Sequence, residues 1–153
     1  MILVTVWLDV EYKFKMALDT GATRTTFDFN ALHLAGYPIK NIIEKGAIET
    51  ANGIIEVGIF EVDSLFAFGH SKRNIKVQVC DFLAHGILSD YEGVLGLDFF
   101  ENTRFCIDMD EQTIEVWGRY NGKIPQLYFQ SCLSSCLINT LKIFKMQRYN
   151  FFF

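Results

Sequence analysis

Met16-Ala17-Leu18-Asp19-Thr20-Gly21-Ala22-Thr23 is the most informative segment of this chain, because an apolar strand runs directly into Asp-Thr-Gly. On its own the tripeptide is a weak signal, since at average residue usage it arises by chance in about one chain of this length in thirty. It also fits an ordinary turn that follows a strand. The surrounding sequence therefore has to distinguish a simple turn from a functional loop.

Short strand-like segments surround this loop on both sides. Asp9-Val10-Glu11 separates two β-rich segments and predicts a hairpin, and Ala51-Asn52-Gly53 contains the strongest short hairpin signal, Asn-Gly. Residues 28–36 predict a short helix with Asp28 as N-cap and Gly36 as terminator. Strands are predicted at residues 1–8, 12–18, 48–50, 54–62, 75–79, 105–108 and 113–117. Many short strands with so little helix predict an all-β domain that closes on itself.

Composition limits the classes of function. Half of the 153 residues are apolar and 21% are charged, a balance that excludes a disordered chain. The net charge of −4 argues against a general nucleic-acid-binding protein. The charge is uneven, because residues 121–153 carry +4 and no acidic residue, which leaves −8 for residues 1–120.

The cysteines and the first residues bear on location. The four cysteines form no CxxC pair, which is typical of a reducing compartment or of buried thiols that act as small hydrophobic residues. Residues 1–8 lack a basic region and a cleavage site, so no signal peptide is predicted. No apolar run approaches the roughly 20 residues of a membrane span. A cytoplasmic location is therefore the default expectation.

Residues 121–153 are predicted to be a basic, helical C-terminal extension of a 1–120 domain, because apolar residues recur at helical spacing between Leu133 and Phe144. One hypothesis is that this helix packs on the β-domain. Another is that its basic face contacts a membrane surface or an acidic partner. A third is that these residues are a non-native or recently acquired extension. A separate hypothesis is that they mask the cleft until they are removed.

A second motif lies far from the first in sequence. Gly93-Val94-Leu95-Gly96 places two apolar residues and a glycine ahead of Leu97-Asp98. With this motif, residues 1–118 resemble the retropepsin-like aspartic proteases, which include retroviral proteases and bacterial gag-type relatives. The landmarks follow the family's order: hairpin, Asp-Thr-Gly-Ala, short helix, flap, apolar-apolar-Gly and final strands.

The resemblance implies a fold and a set of site residues. The fold is a closed, all-β acid-protease barrel with one or two short helices. Asp19 is implied as the catalytic aspartate, with Thr20 and Gly21 in the catalytic loop. Ala22 and the flap tip, Ala51-Asn52-Gly53, are implied to contact substrate, and Val94-Leu95-Gly96 to pack behind the catalytic loop.

The chemistry of this class needs two carboxylates around one water, one ionised and one protonated. The chain contains a single Asp-Thr-Gly, so a working site requires Asp19 from two subunits. We therefore expect a homodimeric aspartic endopeptidase that hydrolyses peptide or protein substrates without a metal or cofactor. The alternative is a catalytically silent peptide-binding or dimerisation module on the same fold.

Other candidate sites are weaker. Asp98-Phe99-Phe100-Glu101 has the pattern of a helix capping box, so Asp98 is predicted to be structural. Asp108-Met109-Asp110 lacks the glycine and glutamate of a calcium loop, and a hairpin turn is predicted there. Cys80 and His85 have no partners at zinc spacing. Arg24 occupies a stretch that is acidic in familiar retroviral proteases.

Overall fold

A computed structural model describes residues 1–39, 42–50, 53–118 and 147–150. Within these ranges the chain forms ten strands, one short helix and one 3-10 turn. The strands are β1 (Ile2–Leu8), β2 (Tyr12–Leu18), β3 (Thr26–Asp28), β4 (Glu44–Thr50), β5 (Gly53–Ala67), β6 (His70–Cys80), β7 (Gly93–Leu95), β8 (Thr103–Asp108), β9 (Thr113–Gly118) and β10 (Gln147–Asn150). The helix is α1 (Phe29–Leu34), and the 3-10 turn is Leu97–Phe100.

Six strands close into a barrel in the order β1-β2-β7-β3-β6-β5, because β5 pairs back onto β1 at Trp7 and Leu8. The short strand β7 is central to this arrangement. It runs parallel to β2 and antiparallel to β3, so it joins the strand before Asp19 to the strand after it. The predicted closed all-β fold is confirmed.

The interior of the barrel is apolar and rich in phenylalanine. Alternating residues of β1 and β2 point inward, as a half-buried hairpin requires. Their side chains pack with those of β3, β5, β7 and the 3-10 turn. The largest fully buried members include Phe14, Met16, Phe27, Phe60, Leu95 and Phe99. Burial of such side chains contributes about 1.5–3 kcal/mol each relative to exposure, and it fixes the strands that carry the loop after β2.

The predicted local elements are confirmed where they are described. The β1–β2 hairpin turns at Asp9-Val10-Glu11, and β8 pairs with β9 across the predicted turn at 109–112. Helix α1 begins after Asp28, whose carboxylate accepts a hydrogen bond from the Ala31 amide at 3.1 Å. Gly36 follows the helix with a φ of +71°, the left-handed conformation that commonly ends helices.

The extension is described only in part. Gln147–Asn150 forms β10, which pairs antiparallel with β9 and extends the β8–β9 hairpin to three strands. These four residues are therefore a strand, and the helical prediction does not hold for them. Residues 121–146 and 151–153 lie outside the described residues, so the helix predicted between Leu133 and Phe144 and the 1–120 boundary stay predictions.

The β1–β2 turn contains a conformation that its sequence does not favour. Val10 has a φ of +65° and is 76% exposed, and a β-branched residue is strained in the left-handed region. We expect Val10→Gly to raise the free energy of unfolding by about 0.5–1 kcal/mol in urea titrations. Glu11→Gly is the control, because Glu11 is outside that region and its replacement should destabilise the hairpin. A lower stability for Val10→Gly would contradict this interpretation.

Candidate active site

Asp19 lies at the first position after β2 and is exposed to solvent. Its backbone amide donates a hydrogen bond to the Leu95 carbonyl at 3.1 Å, which continues the parallel pairing of β2 with β7. The Asp19 carbonyl accepts from the Ala22 amide at 3.2 Å, closing a tight turn over Thr20-Gly21. The chain reverses direction immediately after the buried strand, so the Asp19 carboxylate is exposed to water. The hydrogen bond to Leu95 of β7 holds the Asp19 backbone in place.

The Asp19 carboxylate is oriented by its own loop. Oδ1 accepts a hydrogen bond from the Gly21 amide at 2.8 Å. A Cβ at Gly21 would lie 3.2 Å from this same oxygen, so the glycine allows a close approach of backbone to carboxylate. Among the described residues, no basic side chain forms an ion pair with Asp19. The chain thus presents one exposed carboxylate whose second oxygen is available to water.

Val94-Leu95-Gly96 lies directly behind this loop. Val94 pairs with Ala17, and the fully buried Leu95 pairs with Leu18. The Leu97 amide donates to the Ala22 carbonyl at 2.8 Å. The structure therefore brings Asp19, Thr20, Gly21 and Ala22 together with Val94, Leu95 and Gly96 in one small region.

A buried network that the sequence interpretation missed fixes the far end of the loop. Both Asp98 oxygens accept from the Thr25 amide at 2.9 Å, and Oδ1 also accepts from the Thr25 hydroxyl at 2.7 Å. The Thr25 hydroxyl in turn accepts from the Gly96 amide at 3.2 Å. Thr25 is fully buried, so this network ties the loop after Asp19 to the 3-10 turn.

The predicted capping box at Asp98 is wrong. Gly96 occupies the N-cap position of the 3-10 turn, and no side chain caps it. Asp98 is structural as predicted, but its carboxylate bonds across the fold to Thr25 instead of capping its own turn. Oδ1 also accepts from the Phe99 amide of its own turn at 2.9 Å, but this contact is not a cap of the turn. The distance in sequence between Thr25 and Asp98 explains the error, because a local pattern carries no information about that pairing.

Removing the Asp98 carboxylate should destabilise the protein strongly. Asp98→Ala leaves the buried amide and hydroxyl of Thr25 without their acceptor, so we expect a loss of about 2–4 kcal/mol in the free energy of unfolding. Asp98→Asn keeps one acceptor oxygen and should lose about 1 kcal/mol. Urea unfolding measures both. Asp110→Ala, at an exposed turn aspartate, is the matched control, and equal losses for Asp98→Ala and Asp110→Ala would refute the assignment.

The β4–β5 hairpin stands where the resemblance places a flap. Its strands pair from Glu44↔Ile59 to Thr50↔Gly53. Gly53 has a φ of +122°, which favours glycine, and its carbonyl accepts from the Thr50 hydroxyl at 2.9 Å. Ala51 and Asn52 lie outside the described residues, and no described contact joins Gly53 to the Asp19 loop. Their substrate-binding role stays a prediction.

A small apolar cluster links strand β5 of this hairpin to β7. Ile55 and Val57 of β5 are buried with Cys80 and Phe82, and Val94 packs against them. Burial, together with the nearby Asp28 and Asp81 carboxylates, raises the pKa of the Cys80 thiol to about 11. This thiol is therefore protonated at neutral pH and is a poor nucleophile. The cluster packs the hairpin against the segment behind Asp19.

Two further findings apply to all of the described ranges. No three His, Cys, Asp or Glu side chains group there in a way that could hold a metal ion. In the same ranges, no helix has both the length and the apolar character needed to cross a membrane.

Comparison with known proteins agrees with this geometry. A family model described as gag-polyprotein putative aspartyl protease matches residues 5–102, a range that includes Asp19, Val94-Leu95-Gly96 and Asp98. The crystal structure of a retropepsin-like aspartic protease from Rickettsia conorii is similar, with a TM-score of 0.53 and 24% identity over 71% of this chain and 76% of that chain. At this identity the structural likeness concerns the fold. A search of curated proteins found no match. The predicted family resemblance is confirmed.

Proposed function

Because this chain belongs to the gag-polyprotein aspartyl protease family, we propose that it is an aspartic endopeptidase that acts as a homodimer. In this proposal each subunit contributes Asp19 to one shared site. The family and the fold support a protease-like function, and the pairing of two Asp19 carboxylates is the further step. The substrate is a peptide or protein segment bound in an extended conformation.

The observation that carries the proposal is the exposed Asp19 carboxylate on a rigidly supported loop. The loop is held by hydrogen bonds from Asp19 to Leu95 and from Leu97 to Ala22, and by the network between Thr25 and Asp98. A catalytic group must be held within a fraction of an ångström of its working position. One chain offers one such aspartate, and a two-fold axis beside the loop would supply the second.

The two carboxylates would have different roles in hydrolysis. Like charges so close do not both ionise readily, so the pair shares one proton and titrates as a unit. The ionised member removes a proton from water, and the water oxygen attacks the carbonyl carbon of the peptide bond. The protonated member donates a hydrogen bond to the carbonyl oxygen. The amide nitrogen then takes a proton from the dyad as the carbon–nitrogen bond breaks.

The β4–β5 hairpin is suited to cover an extended substrate. Ile54, next to the tip, is 78% exposed, and its apolar surface would be buried by a bound peptide or by the partner's hairpin. Main-chain groups at the hairpin edge can add strand-like hydrogen bonds to the peptide. Closure would exclude water from the reacting bond, and Gly53 supplies backbone freedom near the tip.

Dilution tests the shared site directly. The purified chain is incubated with a mixed peptide library between pH 4 and 7, and cleavage is followed by mass spectrometry over a range of protein concentrations. Cleavage per mole of chain should fall on dilution as dimers dissociate, in parallel with the dimer fraction from sedimentation. Constant specific activity in a sample that sediments as monomer would refute the homodimeric site. If no cleavage is detected at any concentration although dimer is present, the catalytically silent binding-module alternative is favoured.

A further inference from the structure

A groove of about 730 Å³ lies beside the catalytic loop, between that loop, β6 and the 3-10 turn. The register of the parallel pair β3–β6, with Thr26 opposite Gln78, places the loop residues before Thr26 next to the middle of β6. Asn74 has a φ of +51° there and interrupts the regular strand. The charged side chains that line the groove are Arg24, Lys72, Arg73, Lys76, Asp98 and Glu101.

The groove concentrates positive charge in a domain that is acidic elsewhere. Four of the eight Lys and Arg residues described between residues 1 and 118 line it. They face two carboxylates, and one of these, Asp98, is already engaged by Thr25. Because residues 1–120 carry −8 overall, this groove differs in sign from the domain around it. A concave surface with an excess of one sign of charge attracts ligands of the opposite sign.

Two of the four cations have acidic partners, and the other two form no ion pair within the part of the chain that the structure describes. The Lys72 ammonium donates to the Glu101 carbonyl at 2.7 Å and lies 3.8 Å from its carboxylate. The Lys76 ammonium lies 3.2 Å from the Glu44 carboxylate. Arg24 and Arg73 are exposed and form no ion pair with any other described residue. Their guanidinium groups are free to bind carboxylates in a bidentate manner.

We propose that this groove docks an acidic segment of the protein substrate, with Arg24 and Arg73 as the main contacts. The inference rests on the proposed function, because it assigns a substrate class to the same enzyme. The docked segment lies outside the scissile position, so it adds affinity and selects substrates without contacting the reacting atoms. A glutamate- or aspartate-rich stretch is the matching chemistry, since guanidinium and carboxylate groups are geometrically complementary.

The groove is within reach of a peptide in the active site. Thr23 lines its near end and follows Asp19 by four residues, a distance that an extended chain covers in at most about 14 Å. A substrate tail of about eight residues spans up to about 29 Å. An acidic stretch within about eight residues of the cleaved bond can therefore enter the groove while that bond lies at Asp19.

Binding can be measured without catalysis by using Asp19→Asn protein. Fluorescence anisotropy compares a labelled oligoglutamate peptide with an oligoglutamine peptide of the same length. We expect the glutamate peptide to bind more tightly, with an affinity that falls as salt is added. In the background of Asp19→Asn, Arg24→Glu with Arg73→Glu should weaken glutamate-peptide binding about five- to tenfold. The same variant should gain affinity for an oligolysine peptide.

A matched variant controls for net charge. Lys13 and Arg104 are exposed cations outside the groove, and Lys13→Glu with Arg104→Glu changes the total charge by the same amount. This variant should retain binding of the glutamate peptide. Equal losses in the two double variants, or equal affinities for the glutamate and glutamine peptides, would overturn the groove assignment. Thermal melting of each variant verifies that all of them are folded.

A kinetic measurement separates this inference from the proposed function. A peptide that the wild type cleaves is extended by a glutamate tail or by a glutamine tail. The glutamate tail should lower KM severalfold and leave kcat nearly unchanged, because docking stabilises the bound substrate and the transition state equally. Cleavage with no preference between tails would overturn the groove and leave the protease proposal standing. Charge-dependent binding without cleavage of any peptide would support the groove as an acidic-segment site and count against the protease proposal.

Discussion

Asp19→Asn is expected to lower peptide cleavage by at least about a thousandfold. Asparagine has nearly the same shape as aspartate, so Oδ1 can still accept the hydrogen bond that Gly21 donates at 2.8 Å. The asparagine amide cannot take a proton from water, however, and two amides cannot share a proton as two carboxylates do. The variant should therefore fold like the wild type and fail only in chemistry. Initial rates on the most rapidly cleaved library peptide measure the loss.

Asp110→Asn is the matched control for this substitution. Asp110 is exposed in the β8–β9 turn, which belongs to a different sheet from the strand that leads into Asp19. Its replacement makes the same change in charge, and we expect the cleavage rate to stay within about twofold of wild type. Equal cleavage by the Asp19→Asn and wild-type proteins would mean that the activity belongs to a contaminant or to another site.

Mixing the two proteins extends this test to the shared site. If subunits exchange freely, an equal mixture contains about a quarter wild-type dimers and about a half mixed dimers. A mixed dimer has one carboxylate and should be as inactive as the variant dimer. The mixture should then cleave peptide at about half the rate expected if each wild-type subunit acted independently. Activity that simply follows the amount of wild-type chain would show that each subunit acts alone.

The local elements of this fold could be predicted from the sequence because their determinants lie within a few residues. The β1–β2 hairpin follows from two β-rich segments around Asp9-Val10-Glu11, and α1 follows from Asp28 and Gly36 as its boundaries. Both elements are present as predicted. The capping hydrogen bond from Ala31 to Asp28 spans only three residues, so both partners lie within the local sequence pattern that predicts the helix.

The connections that build the site are long-range, and local patterns could not provide them. The closure of the barrel depends on β5 pairing with β1, and no periodicity in either strand specifies that partner. The hydrogen bonds from Thr25 to Asp98 cross most of the domain in sequence. The resemblance to a family could place Val94-Leu95-Gly96 behind the loop because it carries information about the whole fold. It could not indicate which side chain locks the loop in this chain.

Gly96→Ala is expected to cause a large loss of stability. A Cβ at this position would lie 2.5 Å from the Arg24 carbonyl carbon, 2.7 Å from its oxygen and 2.8 Å from the Thr25 nitrogen. All three are backbone atoms, so no side-chain rotation can relieve the overlap. The backbone that joins the loop to the 3-10 turn must move, at a cost of about 3 kcal/mol in the free energy of unfolding. Urea titration measures this loss.

The same substitution should reduce cleavage even where the protein remains folded. Moving the backbone at Arg24 and Thr25 shifts the loop that begins at Asp19, and a displacement of about 1 Å can lower a catalytic rate about a hundredfold. Gly86→Ala is the control: its φ of +70° makes alanine unfavourable, but nothing lies within 4 Å of the added Cβ. It should cost only about 1 kcal/mol and leave cleavage near the wild-type rate. If Gly96→Ala matched Gly86→Ala in both measurements, the tight packing behind the Asp19 loop would not be what holds Asp19 in place.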